Sequence, residues 1–325
     1  MLLNKCSGNM YADVDYTTNP IRGRCPFNCE YCYVKTGFRK NITAYQLPFH
    51  LHRQTLENGP DPPEGSTIFV GSMTDMWQAP TNFIMTLMKT INEINNRNDC
   101  DGNDPLHWVF QSKDPGPMIQ FLDILPRHST LLTTIETSRR CREISDAPTT
   151  DVRVHRMNVL SNTVAKIREE FDYKTGVTVE PIIDFNESWF LEMLIVCDAS
   201  YINFGAMTMA EYEKYEITPP SVDEICWLVD KLIKKHGIEV RIKKNLMRLA
   251  DKGEARDSFR EKLLGAGAWL TWEWMDRGDN AMLRREAWLL ELITDKPDKL
   301  HEGIADEMRK MRNMPIIQLS EDSDG

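Results

Sequence analysis

The chain is 325 residues long, with 41% hydrophobic and 27% charged residues, a net charge of −10 and a pI near 5.3. That length supports one catalytic domain with a sizeable core plus a tail, and no apolar run approaches the roughly 18–20 residues that cross a bilayer. The acidic balance argues against broad nonspecific DNA binding, which rests on phosphate neutralisation by Lys and Arg. The quickly polar start, Met1 to Cys6, lacks a secretory pattern, so a soluble protein in a reducing cytoplasm is expected.

Residues 1–24 are polar and turn-rich, and Thr17 to Pro20 predicts a turn leading into a strand end at Ile21 and Arg22. Directly after it, Cys25, Cys29 and Cys32 form a Cys-x3-Cys-x2-Cys triplet, with Tyr31 immediately before the third thiol. Three thiolates on one tight loop can hold three irons of a [4Fe–4S] cluster and leave the fourth iron without a protein ligand. A structural zinc normally closes its shell with four ligands, and Cys6, His50 and His52 fall outside ligand spacing. A zinc knuckle or a merely structural cluster is the alternative. The other cysteines, Cys6, Cys100, Cys141, Cys197 and Cys226, are scattered singly and read as buried apolar residues rather than disulfides.

A breaker segment from Glu57 to Gly65 precedes a short buried strand over Ser66–Ser72, and a helix follows over Thr81–Asn98, with Phe83, Ile84, Leu87, Ile91 and Ile94 on one stripe. The alternation continues with a strand over Leu106–Gln111, a short helix over Pro117–Leu125, a strand over Ser129–Ile135 and a helix over Val159–Phe171. Then come a strand and loop over Thr175–Asp184, a helix over Glu187–Val196, a strand over Tyr201–Gly205, a helix over Val222–His236 and a last strand over Ile238–Ile242. Strands separated by helices imply an α/β fold of parallel βαβ units, whose ligand sites gather at the strand C-terminal ends. From about Asp257 the chain reads as helical, with Trp269, Trp272, Trp274 and Trp288 in the segment. The expected domains are 1–255, a helical C-terminal extension over 256–316 and an acidic disordered tail over 317–325.

The candidate site residues beyond the cysteines sit where strands end. After the second strand come Gly71, Ser72, Met73, Thr74 and Asp75; a turn or N-cap role for Thr74 and Asp75 is the alternative. The third strand ends in Gln111, Ser112, Lys113 and Asp114. The fourth ends in Glu136 to Arg140, where Glu136 can accept from sugar hydroxyls and Arg139 can pair with a carboxylate, an exposed salt bridge or cap being the bland reading. Arg153, His155 and Arg156 read as a solvated face ahead of a helix. Glu180 lies in an apolar strand and requires a partner, since an unpaired buried carboxylate is costly. Asn203, Lys243, Lys244 and Asn245 stand in the same relation to later strands. A local basic groove would draw on Arg22, Arg24, Lys35, Arg39 and Lys40, or on Arg241, Lys243, Lys244 and Arg248; a solvated surface is the alternative for each group.

The cysteine spacing and the Tyr31-Cys32 pair resemble the radical S-adenosylmethionine (radical SAM) family. With Phe69 to Asp75 and Val179 to Ile183 the chain looks like a phage-associated branch, with a more distant likeness to spore photoproduct lyase around Cys29 to Tyr33. The resemblance covers roughly residues 15–250 and implies a partial (β/α)6-type parallel barrel. It implies a [4Fe–4S] cluster on Cys25, Cys29 and Cys32, with S-adenosyl-L-methionine on the fourth iron. It implies SAM contacts from Tyr31, packed near adenine, and from the segment Gly71, Ser72 and Met73, which stands where the family has Gly-Gly-Glu. Asp75, Glu136, Arg139 and Glu180 are further candidates for the SAM pocket. The implied chemistry is reductive cleavage of SAM and hydrogen abstraction by a 5′-deoxyadenosyl radical, with flavodoxin or ferredoxin as electron donor. The implied substrate is a nucleobase in nucleic acid; a free nucleotide or small metabolite is the rival. A nucleic-acid-binding protein with a structural metal is the reading from another class.

Overall fold

Parallel strand addition builds most of this chain. The computed structural model describes residues 1–6, 10–36, 43–100, 102–139, 144–167, 171–250 and 253–272. The strands are β1 (Asn4–Lys5), β2 (Tyr16–Thr18), β3 (Ile21–Arg22), β4 (His50–Leu51), β5 (Thr67–Val70), β6 (His107–Ser112), β7 (His128–Thr134), β8 (Asp172–Val179), β9 (Tyr201–Phe204), β10 (Glu239–Ile242) and β11 (Trp269–Leu270). The helices are α1 (Tyr33–Thr36), α2 (Arg53–Glu57), α3 (Thr81–Cys100), α4 (Thr150–Ile167), α5 (Glu187–Val196), α6 (Met209–Lys214), α7 (Val222–Lys234) and α8 (Glu254–Ala266).

One nine-stranded sheet runs in the order β1-β2-β5-β6-β7-β8-β9-β10-β11, and β3 pairs with β4 as a separate antiparallel ribbon. Only β1 is antiparallel to its neighbour; each pairing from β2 to β11 is parallel. The α/β architecture expected from the alternation is therefore present, as an open, mostly parallel sheet. It runs one strand beyond the last one expected, because β11 adds in parallel to β10.

Four local expectations are corrected. The strand entering the main sheet is Tyr16–Thr18, which overlaps the Thr17–Pro20 segment expected to turn, while Ile21–Arg22 belongs to the small ribbon. The helix expected over Val159–Phe171 begins at Thr150. Its buried stripe, Val154, Met157, Leu160 and Val164, continues at helical spacing through a charged stretch that looked like surface. The segment over 117–125 is a 3₁₀ helix, Gly116–Ile124. Past Asp257, α8 is helical as expected, but Trp269–Leu270 is a strand paired in parallel with β10. Most of the segment over 256–316, and all of 317–325, lies outside the described residues.

Capping explains several helix starts. Asn186 accepts from the Trp189 backbone at 3.1 Å ahead of α5, and Ser221 and Glu224 form a capping box at α7. The main core packs helices against the sheet around Trp108, Phe110, Leu131, Val177, Phe190 and Leu228, all fully buried. A smaller apolar cluster gathers Phe69, Val109, Leu132 and Tyr201 under Tyr11 and Val14 of the N-terminal segment. Gly176 makes that packing close. A Cβ there would stand 2.6 Å from Leu132 Cδ2 and 2.9 Å from Tyr201 Cζ. Among the described residues no helix is long and apolar enough to cross a membrane.

Candidate functional site

The polar residues picked from the sequence lie at the C-terminal ends of the parallel strands, and the cysteine loop, which follows the antiparallel ribbon strand β3, meets them through Met73 after β5. The loop leaves β3, turns at Asn28 with φ 44°, and enters α1 directly after Cys32. Backbone bonds clamp it: Glu30 N donates to Ile144 O at 2.9 Å, and Asp146 N to Phe27 O at 2.8 Å. Cys29 is buried, with Sγ 3.1 Å from the Ser145 hydroxyl. Cys25, Cys29 and Cys32 line a cavity of about 380 Å3 together with Arg24, Asn28, Lys35 and Met73. That space is far larger than a single ion needs. Burial pushes the Cys25 thiol up to about 12, Asp75 adding to the rise, while the backbone N–H groups of Asp75 and Phe27 favour the thiolate. A thiol so placed would ionise on binding a cationic metal group rather than in solvent. Three soft thiolate donors and a roomy cavity fit an iron–sulfur cluster.

The segment after β5 faces the same cavity through Met73. Gly71 has φ +81°, a conformation that side chains rarely adopt, and its N–H donates to Thr18 O at 2.9 Å. Asn19 organises the turn: its Oδ1 accepts from Met73 N at 3.0 Å and its amide bonds Ser72 Oγ at 3.2 Å. Tyr33 donates its hydroxyl proton to the Ser72 carbonyl. Asp75 precedes a 3₁₀ turn without a side-chain cap there; its carboxylate instead accepts from Ser112 Oγ at 2.8 Å and Lys113 N at 2.9 Å. Burial pushes Asp75 up to about 7 against those bonds. The Thr74 hydroxyl is buried without a partner among the described residues.

Behind Cys29 lies a buried charged network. Glu136 Oε1 accepts from Tyr31 at 2.5 Å and from Lys113 Nζ at 2.7 Å, while Oε2 accepts from Arg153 at 2.5 Å. Lys113 also donates to the Tyr31 hydroxyl at 2.8 Å, and Arg153 bonds the Thr134 carbonyl. Burial raises the Glu136 carboxyl, but Arg153 and Lys113 outweigh it and hold the group well below the usual carboxylate range. Arg153 was expected on a solvated face and is only 5% exposed. His155 is exposed, and Arg156 pairs with Asp114 at 2.5 Å.

A second, partly buried ion pair sits at the ends of β8 and β10. Glu180 accepts from Lys243 and from Asn245 Nδ2, each at 2.7 Å. The carboxylate in the apolar strand is thus partnered by a lysine rather than by arginine. The other Asn245 side-chain atom, Oδ1, is buried without a partner among the described residues. Lys243 Nζ lies 4.7 Å from the centre of the Tyr11 ring, and Tyr11 donates to Gln111 at 2.8 Å. Asn203 is buried on β9. Arg139 is exposed and pairs with Asp184 at 2.5 Å. Of the expected basic groove, Arg24 and Lys35 line the cavity, whereas Arg22 bonds Asn19 O and Thr55 and Lys243 is buried. Arg39 and Lys40 lie outside the described residues. Sequence reasoning did not single out Asn19, Tyr11 or Ser145. Asn19 carried a weak signal, a polar residue fixed by a following proline just before the cysteines.

No protein-family model matches the chain, and no curated protein does. Among solved structures, it is similar to a spore photoproduct lyase variant with bound AdoMet and dinucleoside spore photoproduct. That alignment has 16% identity over 66% of this chain and 62% of the other, with a TM-score of 0.45. A second spore photoproduct lyase variant aligns at 14% identity over 72% of this chain and 78% of that one, with a TM-score of 0.49. Native anSMEcpe with bound AdoMet and a peptide aligns at 12% identity over 70% of this chain and 62% of that one, with a TM-score of 0.41. The chain thus spans less than two thirds of the first and third of these structures.

Proposed function

We propose that this protein is a radical SAM enzyme that holds a [4Fe–4S] cluster on Cys25, Cys29 and Cys32 and binds S-adenosyl-L-methionine beside it. The observation that carries the reading is the convergence of the three cysteines with Met73 on one cavity at the strand C-terminal ends. When bound, the cluster supplies the electron that cleaves SAM, and the resulting 5′-deoxyadenosyl radical takes a hydrogen atom from substrate. A reduced flavodoxin or ferredoxin is the donor in this reading.

The chain's own residues bind and position. Gly71, Ser72 and Met73, shaped by Asn19, present backbone to the SAM amino and carboxylate end. Asp75 ties this segment to the end of β6. Tyr31, fixed by Glu136 and Lys113, locks the loop between Cys29 and Cys32. Glu180, Lys243 and Asn245 give a charged, hydrogen-bonding wall further round the sheet, and Arg139 with Asp184 lies at an exposed rim.

Anaerobic reconstitution tests the assignment. About four irons and four sulfides per chain are expected, and the paramagnetic resonance spectrum of the reduced protein should change when SAM is added. Stoichiometric zinc without sulfide would overturn the enzyme reading in favour of a structural metal site.

The substrate reading rests on Arg24 and Lys35 at the cavity, cations suited to a phosphate-bearing substrate such as a nucleobase in nucleic acid. Lys35 already pairs with Glu30 at 2.7 Å, so few counterions are released on binding. Oligonucleotide affinity should fall with salt at a logarithmic slope of only about −1 to −2, as expected for one or two phosphate contacts. Absence of binding to single- and double-stranded oligonucleotides at low salt moves the assignment to a free nucleotide or small metabolite.

A further inference from the structure

We propose that His107, His128 and Asp172 form a transition-metal site, of the kind zinc favours, at the end of the sheet opposite the cysteine loop. The three residues are the first of β6, β7 and β8. Register makes them a row: Trp108 pairs with Ser129, which sets His107 level with His128, and His128 pairs directly with Asp172. Adjacent strands lie about 4.8 Å apart, so three side chains leaving one face of that row converge without any loop having to order.

The donor geometry is close to what a small divalent ion requires. One ligand atom from each residue lies within 4.8 Å of the other two. The two imidazole centres are 5.4 Å apart with planes tilted by 57°, and His128 Nδ1 stands 3.2 Å from Asp172 Oδ2. Ligands bound to zinc at about 2.0–2.2 Å in a tetrahedron stand about 3.3 Å from one another, so the His128–Asp172 edge already has the required length. His107 must approach by a side-chain rotation alone, since its backbone N–H is held by Ser66 O at 3.0 Å. Two imidazoles and a carboxylate suit zinc or cobalt better than magnesium or calcium, which take oxygen donors. Three protein ligands leave one position for water.

Lys174 lies on the same strand as Asp172 and contributes an opposing positive charge. It lowers the affinity without occupying a ligand position. The His128–Asp172 contact without a metal is a part-exposed hydrogen bond, whose contribution to stability would be small. From His107 to Ser112, β6 rises about 17 Å at its usual spacing, which keeps this site clear of the cysteine cavity. An ion here therefore fastens three strands together and takes no part in the chemistry of the loop. Because it binds the assembled row and not the separated strands, it stabilises the folded chain.

Two measurements test this. With the cluster assembled, so that the thiols are occupied, equilibrium dialysis against zinc should find one tightly held equivalent in addition to the iron. His128→Ala and Asp172→Asn should each weaken it by more than about a hundredfold, since even partners outside the first ligand shell cost ten- to a hundredfold. In a Cys25→Ala/Cys29→Ala/Cys32→Ala variant, cobalt should give visible ligand-field bands without thiolate charge transfer. If that variant does not fold, the dialysis alone decides. No zinc beyond the iron in the wild-type holoprotein, or an equivalent retained at unchanged affinity in His128→Ala, overturns the proposal.

Discussion

Replacing Cys29 with alanine should abolish cluster assembly and, with it, conversion of SAM to 5′-deoxyadenosine and methionine. Cys29 is the middle cysteine of the triplet and the only one of the three that is buried, at 7% exposure. Its sulfur contacts the Ser145 hydroxyl, and backbone bonds of Phe27 and Glu30 clamp the loop on either side of it. Two thiolates on a loop cannot retain a four-iron cluster that already has one iron without a protein ligand. The expected result is iron and sulfide well below one equivalent per chain after anaerobic reconstitution and no SAM cleavage above background. Cys197 supplies the control. It is fully buried in the main core with its thiol pushed up to about 12 by burial, an environment that keeps sulfur inert. Cys197→Ala should keep its iron at a modest cost in stability. If Cys29→Ala matched the wild type in iron, sulfide and turnover, the cluster assignment would be wrong.

The sequence made the strand ends legible for a physical reason. In a parallel sheet the strand interiors are mostly apolar, so the polar residues that follow the Trp108–Phe110, Leu131–Leu132 and Ile242 positions, Gln111 onward, Thr133 onward and Lys243, mark the C-terminal ends where ligand sites of such sheets gather. What those residues bond to was not legible. Glu136 and Arg153 are seventeen positions apart with a turn and a helix start between them, and no local pattern says that an arginine in a charged stretch folds inward. The same charged stretch hid the first nine residues of α4 by masking the stripe of Val154 and Met157. Likewise β2 was taken as part of a turn because Thr17 to Pro20 is rich in turn formers. Pairing with β5 overrides that propensity, since Tyr16, Thr17 and Thr18 are β-branched or aromatic and fit the pleat. The row of His107, His128 and Asp172 was invisible for a related reason. Each is an isolated polar residue in the chain, and only strand register brings them level.

Glu136→Ala should destabilise the whole domain. Glu136 is 2% exposed, Arg153 is nearly as buried, and Lys113 is mostly covered, so the network carries two cations on one carboxylate. Removing the carboxylate leaves both cations without a counter-charge in a low-dielectric site, and breaking a buried pair from one side costs about 3–5 kcal/mol. For a domain of this size that corresponds to a fall in Tm of roughly 6–20 °C. Tyr31 loses an acceptor at the same time, which loosens the loop between Cys29 and Cys32. A pH series adds a check whose sign is fixed. The Glu136 carboxyl is held below its ordinary value of 4.5 in the folded chain, so its contribution is fully present above that pH and is lost progressively below it. The stability gap between wild type and Glu136→Ala should therefore be widest near neutrality and narrow as pH falls below 4.5. Were Glu136 only a contact for the SAM ribose, the variant would melt with the wild type at every pH and lose SAM affinity alone. Thermal melts of the cluster-free proteins between pH 3 and 7, paired with SAM calorimetry on the reconstituted ones, separate the two roles.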